Sequence, residues 1–491
     1  MKVKERHEIK EKYKWDLSIV YKNNAEWEKD YSAVSKALKG LLRFKGKMSE
    51  SSDSLLRALK KKDEISRKFE KLASYAIRKS DEDTRNDENA KLKSKIFSLG
   101  AEFSEIASFF EPELILIGKG KIKKFITEND NLKVYRHYLD NVLRFKDHTL
   151  SVDEERIIAS ASEMISSPDK IHTILNNADI KFGNIKDEKG NVIELTKGNY
   201  GNYISSQDRE VRKTTFMTLY QSYKDLKNTF AEILAANIKA VHFISKNKKF
   251  KNPLEMSLFR NKIDTSVYDN VINVVNKHLD KMYKYIEMKK KVLKLDEMHI
   301  YDFYVDLIKE YDIEYKYEDA VELIFNALKP LGEDYATKAR KVFEERWIDV
   351  YENKGKLSGA YSSFGYDTPP YILLNYNGKL NSVSTIIHEL GHSMHSYYAS
   401  LIQPYVYHEY SIFVAEIASN VNEMLLNMYM QDNAKNKQEK LSLINDFLES
   451  IKGSIYRQVM FAEFEKIIYE LEGDKQPLTE NIFSEIYFEL N

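Results

Sequence analysis

The spacing of apolar residues predicts a mainly α-helical protein. Near the start of the chain, five apolar residues follow one another at steps of four and three: Trp27, Tyr31, Val34, Leu38 and Leu41. This spacing places them on one face of a helix, and similar spacing recurs through most of the 491 residues. Asn23 with Glu26, and Ser151 with Glu154, have the spacing of helix N-terminal capping boxes. Only 8 prolines and 17 glycines interrupt the pattern, which favours long helices.

Two segments break the helical pattern and predict small β-structures. Residues 178–195 alternate apolar and polar side chains around a Lys-Gly-Asn turn, which is typical of a hairpin. The Gly-, Pro- and Tyr-rich segment 355–380 predicts two short strands, near 357–364 and 371–377.

The hairpin around residues 178–195 also provides the best boundary between domains. We place an N-terminal helical lobe over 1–190 and a second domain over 191–491.

Composition excludes several classes of function. Lys+Arg and Asp+Glu both total 76, so no net charge attracts nucleic acid or anionic lipid. The absence of cysteine excludes thiolate nucleophiles and every Cys-ligated metal site. The chain has no run of 18 apolar residues, and its first residues lack a secretory apolar region. We therefore expect a cytoplasmic protein that acts on neither membranes nor nucleic acids.

The segment TIIHELGHSMH, residues 385–395, carries the clearest chemical signal. His388 and His392 lie one helical turn apart, so both imidazoles can bind one Zn²⁺ ion. Glu389 is rotated by about 100° from His388, beside the metal, where it can accept a proton from an activated water. Random order produces this pattern in roughly two chains per hundred. The apolar surroundings favour a metal, because buried imidazoles and a buried carboxylate need partners.

A catalytic zinc site usually takes three protein ligands, and Glu416 is the best candidate for the third. It interrupts the apolar stretch 411–430, where an isolated carboxylate would be costly to bury without a cation. Glu423, two turns further on, either orients a ligand imidazole or is an ordinary surface carboxylate. His395 lies two turns beyond His388, out of reach of the same ion. It is either a donor outside the ligand set or a core histidine.

These residues belong to longer stretches that resemble the M3 family of zinc metallopeptidases, in its oligoendopeptidase F branch. The resemblance is carried by GAYSSFGYDTPPYILLNYNGKLNSVSTIIHELGHSMHSYYAS (359–400) and FVAEIASNVNEMLL (413–426). It extends to EKYKWDLSIVYKNNAEWEKDY (11–31) and further stretches at 175–200 and 208–229, and so covers nearly the whole chain.

The resemblance implies two helical lobes around a deep substrate channel, with a small β-sheet beside the zinc site. It also implies that His388, His392 and Glu416 bind one Zn²⁺ and that Glu389 is the general base. The expected function is a zinc-dependent endopeptidase acting on short oligopeptides. Ala360 and Tyr361 are candidate substrate contacts at a strand edge, unless this stretch is a packed hairpin that does not touch substrate.

One departure from the family concerns the C-terminus. The family's oxyanion donors come from a His- and Tyr-bearing segment well beyond the third ligand, whereas the last histidine here is His408. We therefore expect a C-terminally incomplete peptidase that binds zinc but turns over peptides poorly, with a separate C-terminal segment as a candidate partner. The alternative is a protein of another functional class, a binding protein and not an active enzyme. It would be a catalytically impaired M3-like protein that binds peptides or a partner without cleaving them.

Overall fold

The computed structural model describes residues 3–305, 307–308 and 314–491, and these residues form a mainly α-helical protein, as predicted. The chain divides into two compact units, each built from two separate segments. The first unit combines Met1–Lys146 with Asp312–Asn433, and the second combines Asp147–Tyr311 with Ala434–Asn491. The domain division at residues 190/191 stays a prediction of the sequence.

The first segment of unit 1 is helical. Its helices are α1 (Asn24–Lys39), α2 (Ser52–Glu82), α3 (Asp87–Ala107), α4 (Phe110–Glu128) and α5 (Arg136–Arg144). Half of the predicted capping box of α1 forms: the Asn23 side chain accepts the backbone N–H of Glu26, whereas the Glu26 carboxylate accepts the backbone N–H of Lys22 and not that of Asn23. Such a cap satisfies a backbone donor that the first helical turn leaves unpaired.

The first segment of unit 2 contains the predicted hairpin among its helices. The elements are α6 (Val152–Ser160), α7 (Ser162–Ile165), α8 (Ser167–Ile174), β1 (Asn184–Lys186), β2 (Val192–Glu194), α9 (Lys197–Ile204), α10 (Arg209–Asp225), α11 (Lys227–Asn247), α12 (Pro253–Phe259), α13 (Thr265–Lys277) and α14 (Leu279–Val292). The hairpin strands pair antiparallel with Ile185 opposite Ile193. The predicted Ser151 and Glu154 capping box also forms, at the start of α6.

The second segment of unit 1 carries a small sheet and the two helices of the HELGH region. The elements are α15 (Tyr317–Ala327), α16 (Gly332–Glu344), β3 (Ile348–Asp349), β4 (Tyr361–Gly365), β5 (Thr368–Leu373), α17 (Leu380–Ile402) and α18 (Ile412–Asp432). The strand order is β3-β5-β4, with β3 parallel and β4 antiparallel to β5. This arrangement leaves β4 at one edge of the sheet.

The second segment of unit 2 is helical. It contains α19 (Lys437–Ile451), α20 (Arg457–Gly473) and α21 (Glu480–Leu490). Side chains of α11, α20 and α21 form one apolar cluster around Ala235, Ile238, Ile468 and Phe483. Among the described residues, no helix combines the length and apolar character needed to cross a bilayer.

Helix α17 lies between the sheet and α18 in the core of unit 1. One of its faces is fully buried and includes Val383, Ile386, Ile387 and Leu390. Tyr371, Ile372 and Leu373 of β5 are equally buried. This apolar packing holds α17 firmly, which fixes the backbone that carries His388 and His392.

Candidate metal centre

The two histidines of the HELGH segment face each other from successive turns of α17. The Nε2 atoms of His388 and His392 are 3.1 Å apart, and the rings are nearly perpendicular. Both side chains are partly buried, with 27% and 18% of their surface exposed. The i, i+4 spacing therefore brings two ring nitrogens to one point, as the helical geometry predicts.

Helix α18 brings a carboxylate to the same point. The Oε2 atom of Glu416 is 3.5 Å from Nε2 of His388 and 3.3 Å from Nε2 of His392. Tetrahedral zinc with bonds of roughly 2.0–2.1 Å places its ligand atoms about 3.3–3.4 Å apart. The two nitrogens and the oxygen therefore have the spacing and the chemistry of three ligands to one zinc ion. In the part of the chain that the structure describes, these three residues form one of the groups of His and carboxylate side chains that could hold a metal ion.

The close approach of α17 and α18 depends on Gly391. A Cβ atom on Gly391 would lie 2.6 Å from Cα of Ser419 and 2.8 Å from the carbonyl carbon and oxygen of Ala418. Atoms cannot pack that closely, so any larger residue would push the two helices apart. Gly391 lies between the two histidines in sequence, which places the helix crossing beside the ligand atoms.

A buried amide adds a polar link across the same crossing. The side-chain N–H of Asn422 donates to the backbone oxygen of Ile387, at 3.2 Å, one residue before His388. The same amide exchanges hydrogen bonds with the hydroxyl of Tyr335, at 3.1 and 3.3 Å. Because Asn422 is almost fully buried, these bonds hold α18 in one register against α17.

Glu423 contacts the other side of one imidazole. Its Oε1 atom is 3.3 Å from Nδ1 of His388, and this hydrogen bond raises the pKa of His388. Burial instead lowers the pKa of His392, which favours its neutral form. A carboxylate on Nδ1 directs Nε2 of His388 towards Glu416, an arrangement found behind many metal-binding histidines.

Glu389 follows His388 on α17 and contacts the sheet through the backbone of Ser362. It is 8% exposed, and burial raises the pKa of its carboxyl group, while a hydrogen bond from the backbone of Ser362 in β4 opposes the shift. The hydroxyls of Ser362 and Ser393 are also 2.8 Å apart, so β4 is tied to α17 at this level. Glu389 is thus a buried carboxyl next to the candidate ligand His388 in sequence.

The burial expected of Glu416 is wrong, because its side chain is 60% exposed. Its apolar neighbours Ile412, Phe413 and Ile417 are exposed as well, so the apolar character of this stretch does not imply burial. The position of the Glu416 carboxylate follows instead from its contacts. Besides the two imidazoles, the hydroxyl of Ser419 lies 2.7 Å from Oε2.

His395 lies outside the group formed by His388, His392 and Glu416. Its ring stacks on Tyr410 with centroids 3.7 Å apart, and its buried Nδ1 has no hydrogen-bond partner among the residues that the structure describes. The Tyr410 hydroxyl is 2.9 Å from that of Ser396. These contacts make His395 part of the packing between α17 and the loop before α18.

The two candidate substrate contacts lie at the start of edge strand β4. Ala360 immediately precedes the strand and is partly exposed. Tyr361 pairs with Leu373 of β5, and its hydroxyl donates to Asp81 of α2 at 2.8 Å. Because this hydroxyl is already bonded, a peptide at this edge would meet the backbone of Tyr361 and not its phenol.

Sequence reasoning missed Gly391, Ser419, Asn422 and Tyr335. The first two had a usable signal, since Gly391 and the pair Ala418-Ser419 are small residues in facing helices, a pattern that indicates close approach of backbones. Asn422 and Tyr335 had none, because they are 87 residues apart and only the tertiary fold brings them together.

A second group of possible ligands in the described part of the chain is Glu70, His408 and Glu409. The Glu70 carboxylate already accepts the hydroxyl of Tyr405 and the backbone N–H of Tyr366. Its Oε2 is 3.5 Å from Nε2 of His408. Through its contacts with Tyr405 and His408, Glu70 therefore anchors the loop before α18 to α2.

Two family models and several known proteins match this chain. Residues 202–491 match the model of peptidase family M3, and residues 113–182 match the oligopeptidase F model. Oligopeptidase PepF of Bacillus subtilis is 41% identical over 487 residues, which cover 99% of this chain and 73% of that protein. Group B oligopeptidase PepB of Streptococcus agalactiae is 37% identical over 486 residues, with 99% and 81% covered.

Solved structures show the same likeness over the whole chain. A Chlamydophila abortus protein assigned as a peptidase superposes with a TM-score of 0.89 at 36% identity, covering 100% of this chain and 82% of that one. An oligoendopeptidase-F from Enterococcus faecium superposes with a TM-score of 0.70 at 32% identity, with 95% and 79% covered.

Proposed function

The chain belongs to peptidase family M3, in its oligopeptidase F branch, and on that premise we propose that it is a zinc-dependent endopeptidase of short oligopeptides. The observation that carries the proposal is the convergence of three ligand atoms, 3.1 to 3.5 Å apart, beside a buried glutamate. The names of its relatives, oligopeptidase and oligoendopeptidase, support short peptides as the substrate class.

Nε2 of His388, Nε2 of His392 and Oε2 of Glu416 would hold one Zn²⁺ ion. When bound, zinc acts as a Lewis acid that polarises the scissile carbonyl and lowers the pKa of water towards 7. Glu423 holds Nδ1 of His388, which keeps the ring oriented and its Nε2 free to bind the ion.

Glu389 is the proposed general base. Its carboxylate accepts the proton of the attacking water and then delivers that proton to the leaving amine nitrogen. Burial raises the pKa of this carboxyl, which brings its basicity closer to that needed near neutral pH. The bond from Ser362 keeps the carboxylate in one orientation between β4 and the ligand group.

Edge strand β4 is the proposed binding place for the peptide backbone. An extended peptide can pair with the free edge of a sheet through main-chain hydrogen bonds. Ala360 and Tyr361 are the proposed contacts. Ala360 directly precedes β4, and Tyr361 is its first residue. Such binding selects for an extended, unfolded segment and therefore for short peptides over folded proteins.

Zinc content and peptide cleavage, measured on the same preparation, test the proposal. We expect one zinc per chain and cleavage of a short internally quenched fluorogenic peptide within its sequence. A chelator should abolish the cleavage, and added Zn²⁺ should restore it. Zinc binding without any cleavage would instead support a peptide-binding protein, and cleavage that resists the chelator would contradict the metal mechanism.

A further inference from the structure

We infer that Ser419 is a positioning residue that fixes the Glu416 carboxylate so that its Oε2 atom faces the two imidazoles. The inference rests on the proposed function, since it assigns a role to Ser419 only through the zinc ligand Glu416. Ser419 lies on α18 one turn after Glu416 and is fully buried.

The contact joins the Ser419 hydroxyl to one particular oxygen. Oγ of Ser419 is 2.7 Å from Oε2 of Glu416, the same atom that lies 3.3 and 3.5 Å from the imidazole nitrogens. The backbone oxygen of Glu416 is a competing acceptor at 3.0 Å. A hydrogen bond to an ionised carboxylate is shorter and stronger than one to a neutral carbonyl, so the hydroxyl proton is directed mainly to Oε2.

The Glu416 side chain needs such a contact because it is exposed. With 60% of its surface open to solvent, the packing around it does not select one rotamer. A glutamate that is fixed in place loses considerable side-chain entropy. The buried hydroxyl of Ser419 selects the rotamer in the metal-free protein, before the cation binds. Less side-chain entropy of Glu416 is therefore lost when the metal binds.

The size of Ser419 matters independently of its hydroxyl. Its Cα is the atom closest to a Cβ placed on Gly391, at 2.6 Å, so it lies at the crossing of α17 and α18. Alanine at this position keeps the small volume and the helix crossing but removes the donor. Ser419→Ala therefore separates the positioning of Glu416 from the packing of the helices.

The test measures zinc affinity by competition with a chromophoric chelator. Loss of a partner that orients a ligand typically weakens metal binding about 10- to 100-fold, and we expect this range for Ser419→Ala. Ser74→Ala is the matched control, because Ser74 is also buried in unit 1 but its hydroxyl has no hydrogen-bond partner in the described part of the chain. That variant should bind zinc like the wild type. Urea unfolding of the metal-free proteins should show Ser419→Ala as stable as the wild type.

A double-mutant cycle decides whether Ser419 acts through Glu416. In a Glu416→Ala background, Ser419→Ala should cause no further loss of zinc affinity, because no carboxylate remains to be positioned. Wild-type affinity in the single variant, or an equal loss in both backgrounds, would overturn the inference. Failure of the wild-type protein to bind zinc would instead overturn the proposed function on which the inference depends.

Discussion

Two glutamates of α18 contact opposite sides of one imidazole. Glu416 approaches Nε2 of His388, and Glu423 approaches its Nδ1. Because only the first is a proposed ligand, Glu416→Ala should weaken zinc binding more than Glu423→Ala. The latter should cost about 10- to 100-fold. Equilibrium competition with a chelator measures both, and an equal or larger loss at Glu423 would show that the ligand is misassigned.

His395 provides the control for this comparison on the neighbouring helix. Its ring stacks on Tyr410, away from the ligand atoms. We expect His395→Ala to retain zinc affinity close to that of the wild type while losing some stability from the lost packing. Loss of zinc binding comparable to that of His392→Ala would place His395 among the ligands.

Because the carboxyl of Glu389 is buried, we expect it to make the stability of the zinc-free protein depend on pH. Burial raises its pKa above the value in the unfolded chain, so ionisation opposes folding once the pH exceeds the ordinary glutamate range. Below that range the carboxyl is neutral in both states and has no such cost. Glu389→Gln should therefore become more stable relative to the wild type as pH rises from about 4 to about 7.

Urea unfolding of chelator-treated proteins at both pH values measures this difference. Glu105→Gln, at an exposed position of α3, is the control for replacing a glutamate carboxyl by an amide. A stability difference for Glu389→Gln that stays constant between the two pH values would contradict the assigned burial effect.

At the residue scale, the sequence predicted what depends on local geometry. The convergence of His388 and His392 follows from their spacing on a helix. The exposure of Glu416 did not follow, because an apolar stretch does not reveal which of its faces is covered. The role inferred for Ser419 did not follow either, because a spacing of three residues on a helix does not show that its hydroxyl is buried and bonded to the ligand oxygen.

At the scale of elements, the close crossing of α17 and α18 predicts the effect of enlarging Gly391. Gly391→Ala would place a methyl group 2.6 Å from Cα of Ser419, so the two helices must separate. Glu416 would then move away from the histidines. We expect lower stability, by about 1–3 kcal/mol as for other overpacked cores, together with weakened zinc binding.

Gly120→Ala is the matched control, because Gly120 lies within helix α4 and a Cβ there would meet no atom within 4 Å. This variant should be slightly more stable, by about 0.4–1 kcal/mol, with unchanged zinc affinity. Chelator competition and urea unfolding measure both properties. A Gly391→Ala protein with wild-type zinc affinity would show that the crossing does not set the ligand geometry.

The strands show why element boundaries were harder to predict than element types. Strand β5 spans Thr368–Leu373, earlier than the predicted 371–377, and so includes Pro369 and Pro370. Prolines lack the N–H that a paired strand donates, so they are disfavoured inside strands. The structure accommodates them where the register with β4 shifts, between Ser363 and Gly365. Beyond β5, the backbone N–H of Leu374 donates to Asp349 of β3, and that of Tyr376 donates to Val350, directly after β3.

At the scale of the whole molecule, each compact unit combines chain segments that are far apart in sequence. In unit 1, buried Asp349 is 2.6 Å from Arg6 and 2.7 Å from Lys356. Arg6 is 343 residues from Asp349, and such a long-range contact leaves no periodic signal. The sequence therefore did not predict which chain segments combine in each unit. The helical class was predictable, because it depends only on local spacing.

Unit 2 contains a buried ion pair that supports a prediction about stability. Asp302 accepts from Arg212 at 2.8 Å and from Arg209 at 3.0 Å. Burial alone would raise the pKa of Asp302, but these bonds lower it below its ordinary value. Asp302→Asn should destabilise the protein by about 3 kcal/mol near neutral pH, because it leaves buried Arg212 without its counter-charge.

The lowered pKa of Asp302 gives this effect a definite pH dependence. The stabilisation is present above the ordinary aspartate range and is lost as pH falls through the lowered pKa. Urea unfolding should therefore show the two proteins converging in acid. Zinc affinity of Asp302→Asn should remain that of the wild type, since the ligands lie in unit 1. A constant difference at all pH values, or a loss of zinc, would contradict this account.

The central claim is that His388, His392 and Glu416 bind zinc while Glu389 moves the proton. The most direct test is Glu389→Gln, assayed for zinc content and peptide cleavage on one preparation. The amide keeps the shape of the side chain but cannot accept a proton. We predict one zinc per chain, as in the wild type, and a cleavage rate lowered about 10²- to 10⁴-fold. A zinc-loaded Glu389→Gln protein that cleaves the peptide at the wild-type rate would contradict the account.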